Sequence, residues 1–570
     1  MFLPTTKDEC LSLGWRELDV VLVTGDTYID SPYFGVALIG KVLVSAGFRV
    51  GVIAQPDWSA LRDIRRLGEP LLFWGVTGGS VDSMLANYTA LKKRRTDDDF
   101  TPGGVNNRRP DRSVLVYTAL IRQAFRKTRP IILGGIEASL RRIPHYDYWQ
   151  DRVRGSVLVD SGADFLLYGM AEKAVRELAE RLAEGREIRQ IRGLCHLADE
   201  ANPDFLSLPS LSLVMKDKEA FGAMFNLFAA NQDYETARGL CQKQDHRWLI
   251  HNPPQPPLTT DELDHVYGLD YEREVHPYYQ AHGPVKALAT VRDSLTTHRG
   301  CVGGCSFCSI AIHQGRRVVS RSEDSLLREA LRLTKREGFK GNIQDVGGPT
   351  ANMYGLECAK AKRGEPCRNR QCLFPKVCPN LLVDHGKQIR LLDKLRQLPG
   401  IKRVFVASGI RYDLVLADRK MGRSYLDAIV SRHVSGQLKV APEHITPAVL
   451  SLMKKPPWGA LLKFKQLFQE TTRRMKKDQY LTYYLMAAHP GCREEDMQEL
   501  ARFVQADLQL HPRQVQIFTP TPSTASTLVY HLGRDPQTGK TVFVERDLRK
   551  KERQKKILFP SRRGNKKRGT

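Results

Sequence analysis

From Val285 onward six apolar stretches alternate with helical ones. The strand candidates are Val291–His298, Asn342–Val346, Arg403–Ser408, Gln437–Ala441, Tyr480–Ala488 and Gln514–Phe518, separated by segments such as EDSLLREALRLTKRE and EEDMQELARFVQAD. Strands joined by helices run parallel, and their crossovers are right-handed. Six such units in succession therefore predict a (βα)6 partial TIM barrel over residues 285–530. The strand ends read THRGC, DVGGPT, ASGIR, APEH, AHPGC and TPTPST. Glycine at such a rim lets backbone groups approach a ligand and proline fixes the turn, so the carboxyl ends of the strands are the expected working face.

The first third of the chain alternates in the same way. DVVLVTGD, FGVALIGKVLVSAGF and RVGVIAQ form a βαβ unit, and LLFWGVTGG, PIILGGIEASL and ADFLLYGMAE repeat its strands. Residues 1–200 are thus expected to hold a doubly wound parallel sheet of the Rossmann type, α/β in class. Neither G-x-G-x-x-G nor a P-loop follows the first strand, which removes the usual signals for dinucleotide or nucleotide binding. Periodicity weakens over 201–284, and the proline-rich HNPPQPPLTTDEL marks that stretch as a linker.

Charge is uneven. The chain carries a net +25, and Thr541–Thr570 alone holds 12 Lys/Arg against 3 Asp/Glu. The segment 531–570 reads as a basic tail, a frayed helix followed by disorder, whose sharper alternative is contact with RNA. Lys7, Asp8 and Glu9 interrupt any signal-peptide core and no run is long enough for a membrane span, which places the protein in the cytoplasm. In a reduced compartment, eleven cysteines of which seven fall between Cys301 and Cys378 point to metal ligation over disulfides.

Two groups of cysteines stand out. Cys301, Cys305 and Cys308 form C-x3-C-x2-C on the loop after the first barrel strand. With His298 they could complete a zinc knuckle; alone they suit a [4Fe–4S] cluster with one iron left free. Cys358, Cys367, Cys372 and Cys378 follow within an insertion at 355–380, spaced for a second metal site holding zinc or an auxiliary iron–sulfur cluster. Cys10, Cys195 and Cys241 read as small buried hydrophobes. Cys492 lies at a strand end and is a candidate catalytic thiol, while His313 and His489 are candidate acid–base groups or structural histidines.

C-x3-C-x2-C with Phe307 before its third cysteine resembles the signature of radical S-adenosylmethionine (SAM) enzymes. The resemblance implies that the three cysteines hold a [4Fe–4S] cluster whose free iron chelates SAM and whose electron cleaves it to a 5′-deoxyadenosyl radical. Gly347 and Gly348 match the glycine pair that meets the SAM amino group, with Pro349 in place of an acidic residue. Ser408, Arg411 and Glu443 stand where ribose and carboxylate contacts fall, and Phe307 completes the set. HRGCVGGCSFCSIAIHQGR, GGPTANMYG and NPPQPPLTTDELD together are similar to the YgiQ family of radical SAM proteins over nearly the whole chain. PIILGGIEASLRRIP and ADFLLYGMAEKAVRELAERL look like part of the cobalamin-binding domain that precedes the barrel in many radical SAM enzymes, but D-x-H-x-x-G is absent, which favours a scaffold over a cobalamin site. The implied function is hydrogen abstraction from an unknown substrate, RNA or a small metabolite, with flavodoxin or ferredoxin as reductant. The alternative is a cluster- or zinc-stabilised nucleic-acid-binding protein without radical chemistry.

Overall fold

A computed structural model describes residues 1–367, 370–510, 512 and 515–559. Its larger sheet is built on β1 (Val20–Thr24), β2 (Val50–Ala54), β3 (Phe73–Thr77), β4 (Ile131–Gly134) and β5 (Phe165–Leu167), paired in the spatial order β2-β1-β3-β4-β5 and all parallel. Every residue of β1 and β2 is buried, as expected of strands covered by helices on both faces. One covering helix, Glu172–Ala183, turns Ala174, Val175, Leu178 and Ala179 inward and leaves its charged face to solvent.

The expected linker is a correction. Residues 206–251 supply β7 (Leu206–Leu208), β8 (Leu240–Gln244) and β9 (Arg247–His251), which with β6 (Leu194–Ala198) extend the same sheet to nine strands in the order β5-β6-β9-β8-β7. β5–β6, β6–β9 and β9–β8 are antiparallel, so the sheet is mixed. The added strands LCQKQ and RWLIH mix polar and apolar residues, and that pattern lacks the continuous apolar signal of β1. The proline-rich stretch comes after β9, where it leaves the sheet.

The barrel strands are short and follow one another in chain order. β10 (Ser294–Thr296) pairs with β11 (Asp345–Gly347), and the preceding Asn342–Ile343 pairs with β12 (Arg403–Val404). The bridge Ile410 to Val440 leads to β13 (Gln437–Glu443), which pairs with β14 (Tyr480–Ala487), and that with β15 (Gln516–Ile517). All of these pairings are parallel, which makes the six strands an open partial barrel. Outer helices seal it by their apolar stripes; Trp458–Arg474 buries Leu461, Phe464 and Phe468.

The basic C-terminus is also corrected. Leu548–Ile557 is a docked helix, started by Asp547, whose carboxylate accepts from the amides of Arg549 and Lys550. Lys551 is fully buried between the rings of Tyr148 and Tyr530, 4.8 and 4.7 Å from their centroids, and donates to both hydroxyls. It thereby ties this helix to Tyr148 of the N-terminal half. Residues 560–570 lie outside the described residues. No helix among those described is long and apolar enough to cross a membrane.

Burial pushes the Lys551 ammonium down to about 8 from its ordinary 10.5. Between those values the unfolded chain binds the proton that the folded chain has released, so stability from this group rises with pH there and is lost as pH falls through about 8. The melting temperature of the wild type relative to Lys551→Met should therefore climb as pH is raised above 8. A difference that stays constant with pH would contradict this environment for Lys551.

Candidate active site

β10 ends at Thr296, and the chain then makes a loop whose base is closed. His298 and Arg299 pair antiparallel with Ser320 and Val319, and the amide of Cys301 donates to Gly315 O at 3.2 Å. Gly300 sits at φ +81°, and a Cβ there would stand 1.7 Å from Arg317 O, so only glycine permits the two strands of the loop to meet. Farther out, Ser306 is fixed to the barrel: its amide donates to Met453 O and its hydroxyl to Leu452 O at 2.6 Å.

The loop holds Cys301, Cys305 and Cys308 half-buried, with no disulfide among them. Gly303 passes between two of them: a Cβ there would lie 3.2 Å from Cys301 Sγ and 3.8 Å from Cys305 Sγ, so the absent side chain leaves a cradle among the sulfurs. Burial, then the neighbouring Cys305, raises the Cys301 thiol and pushes that of Cys308 up to about 12. Such thiols ionise when a cationic centre replaces the lost water, and a thiolate-bound iron cluster does so. The donor set fits a [4Fe–4S] cluster with one iron left without a protein ligand.

Arg411 supplies a fixed charge beside this cradle. Its Nη1 lies 3.6 Å from Cys305 Sγ, while Nε and Nη2 grip Asp413 at 2.8 and 2.6 Å. Arg411, placed by sequence similarity among the SAM contacts, stands beside Cys305 of the three-cysteine loop. Glu443 ends β13 at φ +68°, a strained conformation for a side-chain-bearing residue. It is buried, pairs with Lys455 at 3.7 Å, and is raised by that burial.

Gly347, Gly348 and Ser408 reach a cavity of about 440 Å³ that lies between the barrel mouth and the strand ends of the N-terminal sheet. Gly348 is packed against His298: a Cβ there would fall 2.6 Å from the imidazole. This placement sets the His298 ring against the second strand end. Its Nδ1 meets Thr297 Oγ1 at 2.8 Å, and its buried Nε2 has no hydrogen-bond partner among the described residues. Burial lowers it to about 4, so the ring is neutral. Ser408 is engaged by Asp345, whose carboxylate accepts from the Ser408 hydroxyl and from the amides of Ala407 and Ser408.

Phe307 packs edge-on to His489 outside that cavity's wall. His489 has both nitrogens engaged, by Pro490 O and Ser526 Oγ at 2.8 Å each, a structural arrangement. His313 lines the cavity and meets Ser139 of the N-terminal half at 3.0 Å. Cys492 does not face the cavity: it is fully buried, within 3.6 Å of Gln554 on the C-terminal helix, and burial pushes its thiol up to about 12. The reason is that the helix 548–557 covers this strand end, which the sequence left open. Asp345 and the Glu172–Arg299 ion pair, all on the cavity wall, were missed by sequence reasoning. Asp345 carried a signal, the one acid in the strand stretch NIQDV, two residues before Gly347. Glu172 carried none, because its partner lies in the other half of the chain.

The partial barrel and its three-cysteine loop define a radical SAM enzyme, with a [4Fe–4S] cluster and SAM as cofactors. The family profile described as Radical SAM N-terminal matches residues 2–294, and that of the Radical SAM superfamily matches 295–504. UPF0313 protein FN0734 of Fusobacterium nucleatum is 52% identical over 566 residues, covering 99% of this chain and 100% of its own. A UPF0313 protein of Thermotoga maritima is 48% identical over 571 residues, the whole of both chains. The chain belongs to the UPF0313, or YgiQ, family of radical SAM proteins. Among solved structures, the radical SAM methyltransferase TsrM from Kitasatospora setae, with cobalamin and a [4Fe–4S] cluster bound, aligns with a TM-score of 0.48 at 16% identity, over 89% of this chain and 77% of that one. The cobalamin-dependent radical enzyme OxsB aligns with 0.48 at 11% identity, over 92% and 57%.

The packing of Gly348 gives a test. Gly348→Ala should weaken SAM binding by about tenfold or more, as a displaced His298 ring distorts the strand end, and removing the ring in His298→Ala/Gly348→Ala should restore part of that loss. Isothermal titration of the reconstituted protein with SAM measures both. Additive losses in the double variant would rule out the contact as the cause.

Proposed function

We propose that the protein abstracts a hydrogen atom from a small polar substrate held between the barrel mouth and the N-terminal sheet. The observation that carries this reading is the cavity itself. It joins the second barrel strand end, where Gly347 and Gly348 match the SAM glycines, to Asp26, Ser80 and Glu172 from the other half of the chain. A volume of about 440 Å³ suits a metabolite. An RNA strand needs an open basic groove, and the acids on this wall do not provide one. Nothing in the fold favours a nucleic-acid module without radical chemistry.

In this reading Cys301, Cys305 and Cys308 hold the cluster, and Gly347, Gly348 and Ser408 receive SAM. When bound, the cluster and SAM would together supply one-electron chemistry for hydrogen abstraction from the substrate. The chain's own part is to bind, orient and exclude water. Arg411 stabilises the thiolate charge at Cys305, and Asp413 holds it there. Neutral His298 offers a polar ring edge at the strand end. On the opposite wall Asp26 is fixed by Arg109 at 2.6 Å and by the Ser80 amide at 2.6 Å, so it presents a rigid acceptor. The Glu172–Arg299 pair locks the two halves together at the cavity wall. A one-electron donor such as flavodoxin or ferredoxin supplies the reductant, and the N-terminal sheet serves as a wall rather than a cobalamin site.

Anaerobically reconstituted protein given SAM and dithionite should form 5′-deoxyadenosine, and Cys305→Ala should lower that rate to background, a loss of at least about 10³-fold. Asp345→Asn should retain the iron and lose most of the product, since it releases Ser408 and the strand end. Unchanged 5′-deoxyadenosine formation in Cys305→Ala would overturn the proposal. The substrate is then sought as the cell-extract fraction that raises the rate.

A further inference from the structure

We infer that Cys358, Cys367, Cys372 and Cys378 form a second metal centre, ligated by four thiolates and separate from the three-cysteine loop. The eleven cysteines divide sharply by environment. Cys10, Cys195, Cys241 and Cys492 are buried, as packing residues are; the seven in the two groups are only partly buried, and no disulfide joins any of the eleven. Four partly buried thiols gathered at the edge of so small a core are more than packing requires.

They are gathered by the backbone. Cys358 pairs in an antiparallel ladder across from Leu381, whose amide donates to Cys378 O at 3.0 Å, and the amide of Cys378 donates to Cys372 O at 2.8 Å. All four thiols line one cavity of about 680 Å³. Arg370 lines the same cavity, a cation beside a site whose thiolates would be strongly negative.

The segment between the cysteines cannot hold this arrangement by itself. AKAKRGEP offers charge and turn residues, and its surroundings supply only a small apolar cluster of Val302, Met353, Leu356, Leu373, Leu381 and Leu414. Cys301, Cys372 and Cys378 pack on that cluster, so the second site lies directly behind the loop of the first. No three His, Cys, Asp or Glu among the described residues are drawn together as tightly as a single ion requires, and this holds equally for Cys301, Cys305 and Cys308. A metal would close the quartet and order the insertion against the cluster loop. Tetrathiolate ligation suits zinc or a [4Fe–4S] cluster alike.

The inference does not rest on the proposed reaction, and a variant without the first site tests it alone. The full-length Cys301→Ala/Cys305→Ala/Cys308→Ala protein, prepared anaerobically with iron and sulfide or with zinc, should retain either about four iron and four sulfide or about one zinc per chain. Iron with sulfide identifies a cluster and zinc a clamp; both support a metal centre. Adding Cys372→Ser, or serine at all four positions, should abolish that metal, with circular dichroism confirming the fold. If the triple variant binds neither metal, or if metal persists after the four serines, the inference is overturned. Loss of 5′-deoxyadenosine in the triple variant bears only on the first site.

Discussion

The cluster loop depends on being held at both ends before any metal binds. Its base is a two-residue ladder that only glycine at 300 allows to close, and its outer part is bonded to the barrel through Ser306. Against that frame Arg411, gripped by Asp413, brings a cation to Cys305. Burying three thiolates without such compensation would cost several kcal/mol. Arg411 offsets part of that penalty at Cys305, and a bound cluster would offset the rest.

The cavity exists because two parallel arrays present their carboxyl ends to each other. Each is an expected ligand face by itself. Facing each other they form an enclosure, with Asp26 and Glu172 on one wall and Asp345, Gly348 and Ser408 on the other. Glu172–Arg299 and the Ser139–His313 contact cross the divide beside the cavity, and Lys551 crosses it at the C-terminal helix through Tyr148 and Tyr530. Separating the halves would strand buried charges on both, and this resists opening more strongly than apolar contact alone.

Much of this was legible in the sequence, for reasons that differ by element. The barrel was readable because amphipathic helices alternate with apolar strands and because glycine and proline punctuate every strand end. β1 was readable because both of its faces are covered. β7, β8 and β9 were not, since a strand near the sheet edge mixes polar and apolar residues and resembles a linker. The three-cysteine loop stood out by its spacing; the partner of Cys305 did not, because Arg411 reaches it from more than a hundred residues away. The docked helix 548–557 was hidden by its composition. A lysine-rich segment ordinarily stays in water, and only the paired tyrosines that receive Lys551 make this one an exception.

The most direct test of the central claim is the electron paramagnetic resonance spectrum of the dithionite-reduced protein, recorded with and without SAM, in the variant carrying serine at 358, 367, 372 and 378 so that a single cluster is observed. A cluster held by Cys301, Cys305 and Cys308 alone keeps one iron free for the amino and carboxylate groups of SAM, and its g-values should shift when SAM is added. A [4Fe–4S] signal that SAM leaves unchanged would mean a cluster closed by a fourth protein ligand, and would contradict the account.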